Sequence, residues 1–169
     1  KTIFVDEYVE ITNLLATVER RYRSRAVFVS GAAHEYGQEG GESAQRAVHL
    51  LSRTLVGKGM TVVSGFGLGI GSAVISGALE QIYMNPTLSN SRQLVLRPFP
   101  QQVFGATNLA ETWTKYRRDM IKHAGIAIFL FGNKLNDGKV VNSNGMQEEF
   151  RIAREFGLVL IPVGVTGYV

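Results

Sequence analysis

Short apolar segments of strand length alternate along the whole chain with longer stretches of helical periodicity. This alternation is typical of a parallel sheet whose two faces are covered by helices. The sequence therefore predicts a doubly wound α/β fold with a mainly parallel sheet of at least five strands. The predicted strands are 26–30, 60–64, 93–97, 126–131 and 158–163, and the predicted helices are 6–22, 42–58, 72–84, 109–123 and 145–156.

The length of 169 residues suits a single domain with a well-buried core. Hydrophobic residues make up 45% of the chain and charged residues 19%, which is typical of a globular protein and argues against disorder. We expect residues 1–25 to form an N-terminal helix and lead-in, and residues 26–169 to form the main α/β domain. Its C-terminal end is expected to be incomplete, because the chain stops just after a predicted strand without a covering helix.

Composition excludes several classes of function. The chain has no cysteine, which excludes disulfides, thiolate chemistry and cysteine-ligated metals, and its three histidines show no metal-ligand spacing. The net charge of +4 is spread along the chain, so no nucleic-acid partner is predicted. The apolar runs are too short to cross a bilayer and no signal peptide is found, so we expect a cytoplasmic protein without a membrane partner.

A glycine-rich turn of sequence SGFGLGIG follows the second predicted strand and leads directly into a predicted helix. Glycine lets the backbone approach phosphate oxygens closely, and a helix N-terminus offers free N–H groups at the positive end of its dipole. The turn therefore predicts a site for a phosphate-bearing nucleotide. The alternative is that these glycines serve only a sharp turn with close helix–strand packing. The candidate residues are Gly65, Gly67, Leu68, Gly69, Ile70 and Gly71.

This turn differs from two common nucleotide-binding motifs. The G-x-G-x-x-G fingerprint of dinucleotide enzymes follows the first strand and requires an acidic residue at the end of the next strand. Here the strand after the turn ends in Arg97. The phosphate-binding loop of NTPases requires a lysine and then a serine or threonine directly after its last glycine, and here Ser72 follows Gly71 without that lysine. An ordinary NAD-dependent dehydrogenase is therefore not expected.

Small and polar residues also follow the first and third predicted strands. In an open parallel sheet the ligand crevice lies outside the carboxyl ends of the strands. Ser30, Gly31 and Ala32 form a small-residue turn there, which again permits close approach of a ligand. Arg97 ends the third predicted strand and Phe99 follows it, where they could pair with a phosphate and stack on a base. The alternative for this pair is a surface arginine beside a core phenylalanine.

The last two predicted helices carry further charged candidates. Only one of Arg117 and Arg118 can readily face inward, because adjacent helical residues point in different directions. Gly145 opens the last helix, and Glu148 and Glu149 follow in its first turn. One of these two glutamates is expected to interact only with the helix dipole, while the other could accept hydrogen bonds from ribose hydroxyls.

Two segments, 85–92 and 133–144, lack periodicity and are predicted to be surface loops. The second directly follows a strand end and could fold over a ligand. It carries Lys134, which we expect to meet the glutamates of the last helix at that strand end.

At these motifs the chain resembles the SLOG superfamily, a Rossmann-like group that includes the LOG nucleotide phosphoribohydrolases and the DNA-processing Smf proteins. Within this group it is most similar to the sensor domains of Thoeris anti-phage defence effectors. The resemblance covers nearly the whole chain. It is carried by the segments VFVSG (27–31), VSGFGLGIG (63–71), YRR (116–118), FGNK (131–134), QEEF (147–150) and IPVG (161–164).

The resemblance implies a sensor for a cyclic ADP-ribose isomer, a signal made by a partner TIR-domain enzyme after infection. Binding would activate a covalently linked, sirtuin-like NAD-hydrolysing domain, while this domain would have no catalytic residue, cofactor or metal of its own. By matching position, Arg117 and Lys134 would contact the pyrophosphate, and Glu149 would contact ribose hydroxyls. The resemblance also implies homo-oligomers through pairing of the sensor domains.

The chain departs from the LOG enzymes at their P-G-G-x-G-T-x-x-E motif, which joins phosphate binding to a catalytic glutamate. That motif is replaced here by residues 131–134, a longer loop and residues 144–149. Catalysis by this domain is therefore not expected. The alternative function is a nucleoside-monophosphate phosphoribohydrolase that uses Glu148 or Glu149, and a third hypothesis is a DNA-binding domain like that of Smf.

Overall fold

The computed structural model describes residues 4–87, 89–100 and 108–169, apart from the side chain of Glu39. Helices and strands alternate along these residues, as the apolar pattern predicts. The helices are α1 (Tyr8–Arg23), α2 (Gly40–Gly57), α3 (Gly71–Met84), α4 (Leu109–Ile121) and α5 (Asn144–Glu155). The strands are β1 (Ala26–Ala32), β2 (Thr61–Ser64), β3 (Leu94–Leu96), β4 (Ile126–Phe131), β5 (Asn133–Asn136), β6 (Lys139–Asn142) and β7 (Val159–Pro162).

Five of these strands form a parallel sheet in the order β3-β2-β1-β4-β7. The central strand β1 pairs with β2 on one side and with β4 on the other, with Val27 beside Val62 and Val29 beside Ile128. A strand in the middle of a parallel sheet is covered on both faces, which explains the continuous apolar run in β1. The predicted Rossmann-like doubly wound fold is confirmed.

Two separate apolar layers cover the two faces of the sheet. Val27 and Val29 point to the layer that α2 and α3 complete, and Phe28 points to the layer that α4 and α5 complete. This alternation follows from the two-residue period of a strand. Because helices flank both faces, the open positions around the sheet are its edges and the ends of its strands.

Residues 133–142, most of the predicted loop 133–144, form a β-hairpin, and Asn144 already belongs to α5. Its strands β5 and β6 pair antiparallel, with Asn133 beside Asn142. Between them Asp137 and Gly138 both have positive φ, 49° and 74°, which is the backbone of a tight two-residue hairpin turn. The Asp-Gly pair is a strong signal for such a turn, although the strands on either side of it are short and partly polar. The hairpin leaves the sheet at the carboxyl end of β4.

Helix α1 differs from the other helices because none of its residues is buried. Its C-terminal end touches the rest of the domain at Gly125, where a Cβ atom would lie 2.5 Å from the carbonyl carbon of Arg23. No helix within the described ranges is both long enough and apolar enough to span a bilayer.

Candidate functional site

A cavity of about 230 Å³ lies at the carboxyl ends of the central strands, between the turns after β1 and β2, the hairpin, and the N-terminus of α5. This is the edge at which the sequence predicts the ligand crevice. Most of the candidate residues meet there. Those lining the cavity are Ser30, Gly31, Ala32, Gly65, Gly67, Leu68, Phe99, Arg117, Lys134, Gly145 and Glu149.

The glycine-rich turn packs directly against the turn after β1. A Cβ atom at Gly67 would lie 2.0 Å from the carbonyl oxygen of Gly31, and one at Gly69 would lie 2.0 Å from that of Ala33. The backbone N–H of Ala33 also donates a hydrogen bond to the carbonyl of Leu68 at 2.8 Å. Close packing, the alternative explanation for these glycines, is therefore a real requirement at positions 67 and 69.

The same turn keeps backbone donors available. Within residues 4–87, 89–100 and 108–169, the N–H groups of Gly67 and Leu68 donate to no acceptor, and both residues line the cavity. Helix α3 begins at Gly71, just beyond them. Free N–H groups beside a helix N-terminus favour an anion such as a phosphate. Packing and anion binding are thus compatible functions of one turn.

Three candidates from the turn do not line the cavity. Ile70 is buried beneath the turn after β1, where its Cδ1 atom would lie 2.4 Å from a Cβ atom at Gly31. Gly69 presents its carbonyl to the Tyr36 hydroxyl, which donates to it at 2.7 Å. Gly71 is the buried first residue of α3. These residues hold the turn in place: the carbonyl of Gly69 and the side chain of Ile70 are directed into the protein, and the N–H of Gly71 donates to the carbonyl of Gly67 at 2.8 Å.

Arg117 of α4 is the buried cation of the site, with 8% of its surface exposed. Its Nη1 atom lies 2.8 Å from a carboxylate oxygen of Glu148, and its Nε atom lies 3.5 Å from one of Glu149. Its guanidinium carbon lies 4.8 Å from the centre of the Phe99 ring. Gly145 makes room for the guanidinium, since a Cβ atom there would lie 2.9 Å from Nη2.

Arg118 points away from this site. It donates to Glu155 at 2.6 Å, on a part of the surface where both side chains are about half exposed, and it lies over the ring of Phe156. The inward arginine is therefore Arg117. Glu148 does not line the cavity, because it is turned towards Arg117 and the hydroxyl of Thr114.

Glu149 is the carboxylate that faces the cavity. It accepts a hydrogen bond from the Ser30 hydroxyl at 2.6 Å, and its side chain is only 12% exposed. Burial raises the pKa of Glu149, and the Ser30 hydrogen bond and the charge of Arg117 oppose this rise only in part. The sequence left open which of the two glutamates turns towards the ligand crevice, and the geometry selects Glu149.

A raised pKa at Glu149 predicts a characteristic pH dependence of stability. A carboxyl group whose pKa is higher in the folded protein than in the unfolded chain stabilises the fold while it is protonated. This contribution is complete below the pKa of an unfolded glutamate, about 4.3, and it is lost as the pH rises through the pKa of the folded state. Glu149→Gln is therefore expected to raise the unfolding temperature at neutral pH but not in acid. Thermal melts of the wild type and of Glu149→Gln, from acid to neutral pH, test this prediction, and the melts in acid serve as the control. A difference that does not change with pH would contradict the assignment.

Lys134 enters the cavity from β5 of the hairpin. Its Nζ atom donates to the side-chain oxygen of Asn144, the first residue of α5, at 2.6 Å. Ser143 precedes that helix as its N-cap and accepts from the N–H of Met146 at 3.4 Å. The hairpin and the start of α5 thus form one wall of the cavity. The N-cap serine is a signal that the sequence analysis did not use.

Asn133 is a further residue that sequence reasoning missed. It is fully buried, and its side-chain oxygen accepts from the N–H groups of His34 and Glu35, each at 2.8 Å. Its side-chain nitrogen donates to the carbonyl of Glu35 at 2.9 Å. This asparagine therefore ties the start of the hairpin to the segment after β1. Phe66, Ser143 and Met146 also line the cavity without having been predicted.

Arg97 does not join the other candidates. It borders a separate cavity of about 560 Å³, together with Val95, Asp119 and Lys122, near the C-terminal ends of α1 and α4. Arg97 directly follows β3, and its side chain lies with that of Val95 at this second cavity. Only Phe99, beyond the end of β3, turns towards the site. In the part of the chain that the structure describes, no group of three or more acidic or histidine side chains could hold a metal ion.

Residues 10–169 match the Sir2- and TIR-associating SLOG family, abbreviated STALD. The chain is 47% identical over 169 residues to a protein of Bacillus cereus (strain MSX-D12) named NAD(+) hydrolase ThsA. It is 45% identical over 170 residues to a protein of the same name from Cytobacillus dafuensis, and 39% identical over 174 residues to one from Acinetobacter baumannii (strain 532279).

These alignments cover 100%, 99% and 99% of this chain but only 35%, 34% and 36% of the three relatives. The chain thus spans about a third of the length of the curated relatives that it matches. The family match includes every candidate residue of the site, and it agrees with the parallel sheet and its glycine-rich turn. The chain is a member of the Sir2- and TIR-associating SLOG family, and it corresponds to one part of NAD(+) hydrolases named ThsA.

Proposed function

We propose that the cavity binds a cyclic ADP-ribose isomer, and that this binding activates an NAD-hydrolysing, sirtuin-like domain linked to this one. One observation carries the proposal: two cations, free backbone N–H groups and a buried carboxylate converge on one cavity at the carboxyl edge of the sheet. A pyrophosphate requires cations and N–H donors, and ribose hydroxyls require an acceptor. The ligand offers both kinds of group in one molecule.

Each part of the ligand has a partner in the proposed complex. Arg117 and Lys134 neutralise the pyrophosphate, with the N–H groups of Gly67 and Leu68 as additional donors. Glu149 accepts hydrogen bonds from ribose hydroxyls. The ligand would share Arg117 with the glutamates that hold it in the free protein. A charged ligand can therefore alter an existing ion-pair network when it binds.

The proposed role is regulation and not turnover by this domain. The three compared relatives are named as NAD(+) hydrolases, and this chain spans about a third of their length, so we assign hydrolysis to another part of the protein. To move a population from 1:99 to 99:1, a ligand must bind the active arrangement about 10⁴-fold more tightly than the inactive one. We propose that a TIR-domain enzyme makes the ligand in the same cytoplasm, since the family is described as Sir2- and TIR-associating.

Calorimetry and thermal melts of the chain with cyclic ADP-ribose isomers test the proposal directly. We expect saturable binding, an unfolding temperature that rises with ligand concentration, and no conversion of the ligand. AMP serves as the comparison, because it lacks the pyrophosphate. The proposal fails if no isomer binds, or if AMP binds as tightly as every isomer.

Lys134→Ala is expected to weaken binding by about 1.5–3 kcal/mol, the range for hydrogen bonds to charged groups. Lys134 lines the cavity from β5, whereas Lys139 begins β6 of the same hairpin and does not line it. Lys139→Ala is thus a matched control that removes the same charge from the same element. Calorimetric affinities of both variants check the prediction, and equal losses would show that only the net charge matters.

The alternative, a nucleoside-monophosphate phosphoribohydrolase, draws support from one observation. Burial raises the pKa of Glu149, and a carboxyl group with a raised pKa is what a general acid needs. Under this alternative the chain would release the free base from AMP-type substrates, and Glu149→Gln would abolish that release. Chromatography of the incubated nucleotides distinguishes the two functions.

A further inference from the structure

Tyr36 packs between the glycine-rich turn, helix α2 and the end of β4, without being among the residues that line the cavity. Its hydroxyl donates to the carbonyl of Gly69 in the turn at 2.7 Å, and the side-chain nitrogen of Gln45 in α2 donates to that hydroxyl at 2.8 Å. Its ring meets the ring of Phe131 edge-on, with 5.6 Å between the ring centres. A Cβ atom at Gly41 would lie only 3.2 Å from a carbon of the same ring. Tyr36 is therefore held from several sides.

The glycine-rich turn is held at its carbonyl groups. The carbonyl of Gly67 accepts from the N–H of Gly71 at 2.8 Å and from that of Ile70 at 3.3 Å. The carbonyl of Leu68 accepts from the N–H of Ala33 at 2.8 Å. A trans peptide group points its C=O and its N–H in opposite directions. The bonds to the Gly67 carbonyl therefore turn the N–H of Leu68 away from the start of α3, which leaves it available to a ligand.

The carbonyl of Gly69 depends on side chains for its orientation. Among the described residues no backbone N–H donates to it, and its donors are the Tyr36 hydroxyl and the Gln45 amide. Gly69 has φ 78°, and glycine adopts positive and negative φ about equally, so the peptide group after Gly69 can rotate at little cost. A rotation would remove the N–H of Ile70 from the carbonyl of Gly67. The Tyr36 hydroxyl thus helps to hold the Gly67 carbonyl, and with it the donor that follows.

We propose that Tyr36 is a positioning residue for phosphate binding: its hydroxyl holds the turn so that the N–H groups of Gly67 and Leu68 face the ligand before it binds. The inference deepens the proposed function and rests on it, since it takes these donors to bind the pyrophosphate. Donors that are already in place lose less conformational freedom on binding, and the affinity rises accordingly. Gln45 supports the arrangement by fixing the hydroxyl from α2.

Tyr36→Phe removes the hydroxyl and keeps the ring that packs on Phe131. We expect it to weaken binding of the cyclic ADP-ribose isomer that the wild type binds best by about 3- to 10-fold, as for the loss of one net hydrogen bond. Calorimetry measures the affinities. Ser52→Ala is the matched control, because the Ser52 hydroxyl also donates to a carbonyl at 2.7 Å, that of Val74, but joins α2 to α3 away from the cavity. This control is expected to lose stability and keep the wild-type affinity.

Amide NMR of the ligand-free chain gives a readout that depends on no ligand. In the wild type we expect one sharp signal for each N–H of residues 67–70. In Tyr36→Phe these signals are expected to broaden or double, because the peptide group after Gly69 then rotates between two orientations. Ser52→Ala is expected to leave them as in the wild type. A wild type that binds no isomer would end the proposed function, while these spectra would still decide on the role of Tyr36.

Two results would overturn the inference. The first is a set of unchanged signals for residues 67–70 in Tyr36→Phe, since the turn would then keep its shape without the hydroxyl. The second is an affinity that Tyr36→Phe leaves unchanged or lowers no more than Ser52→Ala does, since the hydroxyl would then contribute only to stability. Gln45→Met removes the other donor to the Gly69 carbonyl and is expected to alter the same signals, which gives a second, independent variant. Circular dichroism checks that each variant is folded.

Discussion

Arg117→Ala is expected to reduce the free energy of unfolding by about 3 kcal/mol, the low end of the range for removing one partner of a buried ion pair. The low end applies because one of the two carboxylates left without a partner, that of Glu148, is 27% exposed and can be hydrated. Only the carboxylate of Glu149, which is 12% exposed, stays largely out of water. Removal of the guanidinium leaves two carboxylates side by side and also removes the cation over Phe99. Denaturant titration measures the loss.

The same substitution is expected to eliminate most of the affinity for the proposed ligand, by about 10- to 150-fold for the lost charged hydrogen bonds alone. Without the guanidinium between them, the carboxylates of Glu148 and Glu149 would also repel the pyrophosphate. Arg118→Ala is the control, since it removes an arginine from the adjacent position of the same helix. Its pair with Glu155 is about half exposed, so we expect a loss of at most about 1 kcal/mol and unchanged affinity. Similar results for both variants would remove Arg117 from the site.

Gly69→Ala is expected to destabilise the domain by about 2–4 kcal/mol. Gly69 has φ 78°, a left-handed conformation that costs a residue with a side chain about 1 kcal/mol. Its added Cβ atom would also lie 2.0 Å from the carbonyl oxygen of Ala33, so the two turns would have to separate. Overpacking of this kind typically costs about 1–3 kcal/mol.

Gly157→Ala separates the two contributions. Gly157 has φ 68°, similar to that of Gly69, but a Cβ atom there would meet nothing within 4 Å. This control therefore carries the conformational cost alone, about 1 kcal/mol. Equal midpoints of denaturation for the two variants would mean that the contact between the turns contributes nothing to stability.

The fold could be predicted because apolar segments of strand length alternate with helical periods over the whole chain. The hairpin was missed because its strands are short and polar at their outer ends, and only Asp137-Gly138 marks the turn. Asn133 could not be found from the sequence at all. Its buried contacts join segments 98 and 99 positions apart, and no local pattern contains such a separation.

The candidate site could be predicted where strand ends determine it and not where side-chain direction does. Ser30 and the glycine turn lie at the expected edge because parallel strands end together there. Arg97 was assigned to the same edge, but its side chain borders the other cavity, and the sequence does not determine that direction for a residue just beyond a strand. Gly67 fits both explanations of the turn, because close packing and phosphate approach each require a residue without a side chain.

The segments around the cavity are fastened to one another. Asn133 joins the hairpin to residues 34 and 35, and Ala33 and Tyr36 join that segment to the glycine-rich turn. A molecule that displaces any one of these segments must therefore drag its neighbours along. Ligand binding in the cavity would then move the hairpin, residues 33–36 and the glycine-rich turn together, and so change the protein surface over a wide area.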